Sequence, residues 1–497
     1  MDTLYQLIDR LILLGTDNHL IDEMDSTYIR NRLLAYFHEP SYEQLAPLST
    51  SLYETLEGLC KIATEKGLIE NTIQAKDIFS STLMNLFMDK PSVIHKTFYA
   101  TYKDSPEKAT QYFYNLSKNS NYIKADRISK NKHFKVSSPY GPLELTINLS
   151  KPEKDPKQIA LEKSTPAGKY PACPLCVENE GYEGTIKSPD RANHRMIRLK
   201  LAGREWMFQY SPYSYYNEHC IILSKEHVPM KVDKECFKAL LDFITQFPHY
   251  FIGSNAGLPI VGGSILSHEH YQGGQYHFPL NDAKSLFSFE LEGFEDIEAH
   301  VMHWPLSTIR LKGADKEKLT LASDKIFSAW KEYSDPSLGI LSHSDLEEHN
   351  ALTPITRRVG KLYEIDLVLR NNRTSKEYPL GIFHPHEDVQ HIKKENIGLI
   401  EVMGLAVLPG RLLEELEEVK KYILDEPCSV KDYHLSWAKA LKASYTQDLD
   451  LESFILEALG NKFTRILEDA GVFKLTKEGI DGFKQFICTI GNLQTNY

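Results

Sequence analysis

The feature that most constrains the fold is a change in hydrophobic spacing near Tyr140-Gly141-Pro142. Before it, apolar residues recur at helical spacing while Pro and Gly are sparse, so residues 1 to about 130 are predicted to be mainly helical. After it, short alternating runs typical of β-strands are separated by helical segments. This order predicts a helical region followed by an α/β or α+β sheet domain, and 497 residues suffice for two to four compact units.

Within the mixed region, hydrophobic spacing predicts individual strands and helices. The first half is predicted to contain strands in LELTINLS and at Glu205–Tyr210, His219–Leu223 and Tyr250–Ser254, a helix at Asp233–Phe247, and a further segment near His270–Phe278. The second half is predicted to contain strands at Val301–Leu311, Ile365–Leu369 and Tyr378–Phe383, a helix at Lys316–Tyr333, and amphipathic helices from about Lys394 onward. The two halves resemble each other loosely, and the His-x-His of 268–270 has an echo at 384–386, which suggests a duplication.

The charge of the chain excludes some classes of partner. A net charge of -11 argues against general binding to nucleic acid or to an anionic membrane, because both require a positive field. No apolar run approaches the roughly 20 residues that span a bilayer, and the N-terminus is predicted to be an amphipathic helix rather than a signal peptide. Seven cysteines show no disulfide-framework spacing, so a cytoplasmic location is expected.

Cys173-Pro174-Leu175-Cys176 stands apart from the other cysteines. A Cys-x-x-Cys turn places two thiolates on one side of a tight loop, as tetrahedral zinc requires. Two ligands do not complete a site, and the missing ones would be histidines from elsewhere in the fold. A redox dithiol is the alternative, although no thioredoxin-like strand and helix follow the loop.

A second motif, His268-Glu269-His270-Tyr271-Gln272, follows the glycines of Gly262-Gly263-Ser264. In a strand, residues i and i+2 share a face, so His268, His270 and Gln272 would project together. One imidazole can attack phosphorus, while an amide and backbone N–H groups hold the phosphate oxygens. The alternative is an exposed strand with histidines by chance, since the chain has 19 of them.

The Cys-x-x-Cys, the His-x-His-x-Gln and their order resemble the galactose-1-phosphate uridylyltransferases of the histidine-triad superfamily. The length, the helical N-terminal region and the phrase FQYSPYSYYNEHCIILSKEHVPM are similar to the second class of that family, found in Gram-positive bacteria. The resemblance covers nearly the whole chain and is most specific between about residues 140 and 280. It implies an α+β fold with a duplicated, histidine-triad-like core of sheet and helices.

The resemblance implies a ping-pong reaction in galactose metabolism. The second histidine of the motif, His270, would displace glucose 1-phosphate from UDP-glucose and form a uridylyl-imidazole, and galactose 1-phosphate would then take the UMP. Imidazole suits this role because it is nucleophilic when neutral and a fair leaving group when phosphorylated. Gln272 falls on the family's phosphate-binding glutamine, and Glu269 replaces the family proline, which puts a negative charge near the site.

The resemblance also implies a structural zinc ion. Its ligands would be Cys173, Cys176, His227 and His268, with His219 as the competitor for the third position. Four protein ligands leave no open coordination position, so the ion would fix the strand that carries His270. Members of the superfamily differ in the metals they retain.

Further substrate contacts are expected outside the two motifs. Lys154 and Lys157 lie where the family places basic residues over the nucleotide phosphates, although the family prefers Arg. Asn193 is expected at uridine, and Asn255 and Ser264 at the phosphate. Each of these could equally be a turn or capping residue.

The resemblance divides the chain into a helical region (1–135) and two histidine-triad-like halves (136–290 and 291–497). His384 and His386 resemble second-half histidines that bind another metal in the first class, with a hydrogen-bonded structural pair as the alternative. The helical region is expected to form a packing or dimer surface, so a homodimer is one expected state.

Two other functions fit the same residues. A nucleotide hydrolase would use the same nucleophile but resolve the intermediate with water. By resemblance, glutamine after the nucleophile, rather than a further histidine, favours the transferase. A zinc-stabilised, non-enzymatic nucleotide-binding scaffold would need no nucleophile. A nucleic-acid-binding zinc protein is disfavoured by the net charge.

Overall fold

The computed structural model describes residues 2–150, 170–185, 187–263 and 265–493. The first part of the chain is helical, as predicted. Its helices are Asp2–Asp17, Ser26–Tyr36, Leu52–Glu65, Ile73–Asn85, Pro91–Tyr102, Pro106–Asn119 and Ala125–Ile128, with a 3-10 turn at Glu23–Asp25. Local signals set these bounds: Ser51 and Glu54 form a reciprocal capping box, and Pro91 and Pro106 begin their helices. The first four longer helices enclose a hydrophobic core of their own, while the next two pack against the central sheet.

The rest of the chain is built around an eleven-stranded sheet. The described strands are β1 (Lys132–Val136), β2 (Leu143–Asn148), β3 (Ile197–Leu201), β4 (Arg204–Tyr210), β5 (Cys220–Ser224), β6 (Phe251–Gly253), β7 (His270–Gly274), β8 (Ser285–Leu291), β9 (Glu298–Met302), β10 (Thr308–Gly313), β11 (His343–Ser344), β12 (Glu347–Glu348), β13 (Asn350–Val359), β14 (Leu362–Asn371), β15 (Leu405–Pro409) and β16 (Gly491–Leu493). The large sheet has the order β16-β8-β9-β10-β14-β13-β6-β7-β5-β4-β3, and β1, β2 and β15 form a separate small sheet.

The two halves of the large sheet share one topology. In the first, the antiparallel strands β3, β4 and β5 precede the helix Lys234–Gln246, after which β6 and β7 follow and β7 pairs with β5. In the second, β8, β9 and β10 precede the helix Lys316–Glu332, and β14 pairs with β10. Each helix follows an aspartate, Asp233 or Asp315, that accepts hydrogen bonds from its first turn. The shared order, joined by antiparallel β6 and β13, confirms both the α+β class and the predicted duplication.

The large sheet has two covered faces. One face packs against the helices that follow β5 and β10 and forms the largest core cluster. The other face, mainly in the second half, packs against the small sheet and the C-terminal helices. The remaining helices are Glu387–Gln390, Leu399–Val402, Leu412–Ile423, Asp432–Ser444, Leu451–Ala470 and Lys477–Cys488, and further 3-10 turns lie at Val177–Asn179, Pro279–Asp282 and Pro336–Leu338. Among the described helices, none is both long and apolar enough to cross a membrane.

Some strand predictions in the second half are wrong. The predicted strand at 378–383 is a series of turns, because Pro379 and Gly381 interrupt it and Gly381 N–H bonds back to Tyr378 O. The single strand predicted at 301–311 is two strands, β9 and β10, separated by a turn that contains Pro305. The sequence interpretation missed β13, in which Pro354 lowers the strand signal.

The predicted equivalence of the two His-x-His segments is also wrong. His270 opens β7, whose counterpart in the second half is β14. His384 and His386 instead lie in a loop after the end of β14 at Asn371. The duplication therefore concerns the order of strands and not this short motif.

Candidate functional site

His270 is the first residue of β7, where it pairs with Leu223 of β5. The next residue, Tyr271, belongs to the main core on the helix-covered face. Because side chains alternate along a strand, His270 and Gln272 lie on the opposite face. His268 precedes the strand, so the predicted shared face holds for His270 and Gln272 but not for His268.

Hydrogen bonding and burial together define the chemical state of His270. Its Nδ1 lies 2.7 Å from the carbonyl oxygen of His268, so Nδ1–H donates to that oxygen and Nε2 keeps its lone pair. Burial lowers the pKa of His270 below its ordinary value of 6.5, while the hydrogen bond to His268 partly opposes this shift. The result is a neutral imidazole at physiological pH with Nε2 as its nucleophilic atom.

Four side chains converge beside His270, namely Cys173, Cys176, His227 and His268. The Cys173 Sγ lies 3.5 Å from the Cys176 Sγ and 3.2 Å from the His268 Nδ1. The Cys176 Sγ lies 3.1 Å from the His227 Nδ1 and 3.8 Å from the His268 Nδ1. These are the four ligands implied by the sequence resemblance, and they could hold one metal ion. His219, the competitor for the third position, is not part of the cluster.

The geometry of this cluster fits a tetrahedral ion. Zinc bonds of about 2.3 Å to sulfur and about 2.0 Å to nitrogen imply ligand–ligand separations of about 3.3–3.8 Å. The four separations given above, 3.1–3.8 Å, are close to this range, and all four ligand atoms lie within 4.8 Å of one another. Burial and the neighbouring Cys173 raise the pKa of the Cys176 thiol to about 11, and a coordinated cation would hold the same sulfur as a thiolate.

His268 connects the possible metal site to His270. Its Nδ1 faces the cysteines, its Nε2 lies 2.8 Å from the carbonyl oxygen of Ser224, and its own carbonyl accepts the hydrogen bond from His270. The Nε2 hydrogen bond fixes the tautomer that leaves Nδ1 available to a metal, a common arrangement around metal-binding histidines. The orientation of the His270 ring thus depends directly on the position of His268.

The negative charge predicted near the site at Glu269 is neutralised. The Arg204 guanidinium lies 2.8 Å from the Glu269 Oε2, and the Tyr271 hydroxyl donates to Oε1 at 3.0 Å. Arg204 also lies over the ring of Trp206, which belongs to the core cluster. The carboxylate therefore secures the segment between the two histidines from the face opposite His270.

Gln272 makes a hydrogen bond that the sequence interpretation did not anticipate. Its Oε1 lies 3.1 Å from the Nε2 of His219, which directly precedes β5 and is only 3% exposed. The alternation of His219 with the apolar residues of β5 indicates its face, but only the pairing of β5 with β7 brings it next to Gln272. His219 was considered as a metal ligand and is instead the neighbour of this amide.

Other predicted contact residues have structural partners. The Asn193 Nδ2 donates to the carbonyl oxygen of Ser120 at 2.8 Å, which ties this residue to the helical region. The Asn255 Oδ1 accepts from the backbone N–H of Leu399 at 2.9 Å, beside the glycine-rich segment that precedes β7. Their predicted contacts with uridine and phosphate stay predictions.

Lys154, Lys157 and Ser264 lie outside the described residues. His384 and His386 are not part of a metal-binding group among the residues the structure describes. The His386 Nε2 lies 3.0 Å from the carbonyl oxygen of Ile382, in agreement with the hydrogen-bonded alternative.

The fold and site together define a class: a duplicated α+β protein in which a possible four-ligand metal site lies beside a buried, neutral histidine. Comparison with known families identifies the group. Residues 19–229 match the model of the galactose-1-phosphate uridyl transferase N-terminal domain, and residues 243–439 match that of its C-terminal domain. The chain belongs to the galactose-1-phosphate uridyl transferase family.

Relatives of similar length agree with this assignment. A galactose-1-phosphate uridylyltransferase of Clostridium perfringens (strain 13 / Type A) is 59% identical over 99% of this chain and 100% of its own. Galactose-1-phosphate uridylyltransferase 1 of Streptococcus pneumoniae serotype 4 is 48% identical over 97% of this chain and 98% of its own. Among solved structures, yeast Ap4A phosphorylase in complex with Ap4A is 13% identical over 60% of this chain and 88% of its own, with a TM-score of 0.34.

Proposed function

We propose that this protein transfers a uridylyl group from UDP-glucose to galactose 1-phosphate, giving glucose 1-phosphate and UDP-galactose in galactose metabolism. Relatives that match over nearly their full length are galactose-1-phosphate uridylyltransferases, which supports this reaction. The observation that carries the mechanism is the hydrogen bond from His270 Nδ1 to the His268 carbonyl, which leaves Nε2 as the nucleophilic atom.

In the first half-reaction, the His270 Nε2 attacks the α-phosphorus of UDP-glucose. An N–P bond forms, the P–O bond to the β-phosphate breaks, and glucose 1-phosphate leaves with that electron pair. The attack places a positive charge on the imidazole, which the carbonyl oxygen of His268 stabilises through the Nδ1–H bond. In the second half-reaction, a phosphate oxygen of galactose 1-phosphate attacks the same phosphorus and displaces neutral His270.

Gln272 is proposed to bind the phosphate during both half-reactions. It lies on the same strand face as His270, and its Oε1 is occupied by His219. The amide NH2 is then available to donate to the non-bridging oxygens, where charge accumulates in the transition state. A donor in this position stabilises the transition state of the first half-reaction and, in the same way, that of the second.

We propose that the metal is zinc and that its role is structural. Two thiolates and two imidazoles form a common zinc ligand set, and four protein ligands leave no position for substrate. When bound, the ion would supply charge neutralisation for the thiolates and rigidity for the segments that carry its ligands. Cys173 and Cys176 would then fix His268, and His268 in turn orients His270.

The test uses purified protein and UDP-glucose labelled in either uridine or glucose. We expect glucose 1-phosphate to be released while the uridine label stays on the protein, in a bond stable to base and labile to acid. Galactose 1-phosphate should remove the label as UDP-galactose. His270→Ala should show no labelling, whereas the matched variant His277→Ala, which removes an exposed histidine that pairs with Asp282, should be labelled normally.

The same experiment separates the alternative functions. A nucleotide hydrolase would lose the label to water before galactose 1-phosphate is added. A binding scaffold would retain UDP-glucose without covalent label, and His270→Ala would leave its function intact. Absence of label on folded wild-type protein would therefore remove the covalent mechanism.

We further propose the division into a helical region, 1–135, and two histidine-triad-like halves, 136–290 and 291–497. The separate core of the first four longer helices supports the first boundary, and the shared topology supports two sheet halves, with β8 belonging to the second half by its strand order. A cytoplasmic location and a homodimer stay predictions.

A further inference from the structure

His219 is hydrogen-bonded to Gln272 beside His270. It directly precedes β5, and its neighbour Cys220 belongs to the main core, so the His219 side chain lies on the face of Gln272. The His219 Nε2 lies 3.1 Å from the Gln272 Oε1. A carbonyl oxygen can only accept, so His219 donates from Nε2.

Burial determines the protonation state of His219 and the hydrogen bonds that its ring can make. It lowers the pKa of His219 to about 4, so the ring is neutral at physiological pH. The Nδ1 atom is buried and has no hydrogen-bond partner among the described residues. A buried polar atom without a partner is costly, and this cost is tolerated at a position where the opposite ring nitrogen meets a catalytic amide.

The turn that carries His219 is fixed by contacts with β7 and with the residue that precedes β6. The Tyr216 hydroxyl donates to the carbonyl oxygen of Gly273 in β7, and its ring centroid lies 4.4 Å from that of His219. Glu218 has a left-handed backbone with φ of 54°, and its carboxylate accepts a hydrogen bond from Tyr250. These contacts leave the imidazole little freedom to turn away from Gln272.

The turn that carries His219 lies very close to the end of β7 at Gly274. Gly274 has φ of 152°, and a Cβ at this position would lie 2.7 Å from the carbonyl oxygen of Glu218. Only glycine allows the turn to approach so closely. The same approach brings His219 within hydrogen-bonding distance of Gln272.

We infer that His219 is a positioning residue for uridylyl transfer, which holds the Gln272 carbonyl oxygen so that the amide NH2 faces the phosphate. This inference rests on the proposed function. An amide can rotate by 180°, and the reversed orientation would present Oε1 to the anionic phosphate oxygens. Among the described residues, no acceptor engages the Gln272 NH2, so His219 is the contact that distinguishes the two orientations.

The test is a double-mutant cycle between positions 219 and 272, read as the single-turnover rate of glucose 1-phosphate release. His219→Leu should lower this rate by about 10–100-fold, as expected when the hydrogen-bond partner that orients a substrate-binding side chain is removed. In a Gln272→Ala background, the same change should cost less than about 2-fold, because there is no amide left to orient. The control variant His249→Leu removes a histidine that is hydrogen-bonded to Thr110 instead of Gln272. It should not change the rate in the wild-type or in the Gln272→Ala background.

Two polar variants keep the test decisive if His219→Leu does not fold. His219→Gln can place an amide donor where Nε2 stands and should recover most of the rate, while the shorter His219→Asn should not. Both should keep the thermal midpoint and metal content of the wild type.

A penalty for His219→Leu that persists in Gln272→Ala, or equal losses in the Gln and Asn variants, would overturn the inference. Failure of the wild type to form uridylyl-enzyme would instead overturn the proposed function, so the two failures are distinguishable.

Discussion

The two halves of the large sheet have the same topology, but they carry different polar side chains at equivalent strand positions. Gly253 of β6 pairs with Gln272 on one side and with Ile355 of β13 on the other, and Ile355 pairs with Asp366 of β14. The pseudo-symmetry between β6 and β13 therefore relates Gln272 to Asp366. Two residues earlier on each strand, it relates His270 to Glu364.

The carboxylates of the second half are sealed into an ion network. The Arg310 Nε lies 2.6 Å from the Asp366 Oδ1, and the Arg357 Nη2 lies 2.8 Å from its Oδ2 and also contacts Glu364. Asp366 is fully buried, and although burial raises its pKa, the two arginines outweigh this and hold the pKa below its ordinary value. One half keeps groups that can react with a ligand, whereas the other has satisfied the corresponding groups internally.

The sharpest test of this contrast is to remove the nucleophile. His270→Ala should lower turnover by on the order of 10⁴-fold, about 5 kcal/mol in transition-state stabilisation, because the covalent path is lost. Its free energy of unfolding should fall by only about 1 kcal/mol, the value of the hydrogen bond to the His268 carbonyl. Steady-state assays and denaturant melts measure both quantities on the same preparation.

The reverse result is expected in the second half. Asp366→Ala removes the fully buried carboxylate that Arg310 and Arg357 share and leaves Glu364 to face both guanidinium groups, which should cost about 3–5 kcal/mol of folding free energy. The folded fraction should keep its specific activity. Asp296→Ala is the matched control, since that carboxylate forms an exposed pair with Lys318 and its loss should not move the denaturation midpoint. Loss of activity in still-folded Asp366→Ala would show that the halves are not independent.

Substitution of Gln272 should have a smaller effect on rate than loss of His270, and it tests the binding of the phosphate separately from nucleophilic attack. Gln272→Ala should lower the rate by about 10²–10³-fold, as for removal of one oxyanion donor, with little change in stability. Gln272→Glu should be at least as slow, because it replaces the donor with a negative charge of similar shape. A Glu variant faster than the Ala variant would show that Gln272 does not donate to the phosphate.

The site could be predicted from the sequence to the extent that it rests on local motifs. Cys173, Cys176, His268 and His270 stand in short motifs whose spacing carries chemical meaning, and the family resemblance added His227. The contact of His219 with Gln272 could not be predicted, because it depends on the register of β5 against β7.

The fold shows the same division. Apolar spacing predicted the helices after β5 and β10 to within a residue or two. The pairing of Arg310 with Asp366 was not predictable, since it requires β14 to insert beside β10 after a separation that includes a helix and β13. Strand β13 itself was hidden by Pro354, which a central strand tolerates only where its missing N–H is not needed.

The smallest effect predicted is that of disrupting the proposed metal site, and it should also be confined to one half. The His268 Nε2 stays bonded to the Ser224 carbonyl without an ion, so Cys173→Ser should slow turnover by only about 10–100-fold. Hydrogen exchange should increase in 170–185 and near His227 and His268, while β14 keeps its protection. Cys428→Ser, which changes an exposed cysteine, should alter neither metal content nor exchange. Increased exchange in β14 would mean that the metal stabilises the whole sheet, and the contrast between the halves would then fail at this level.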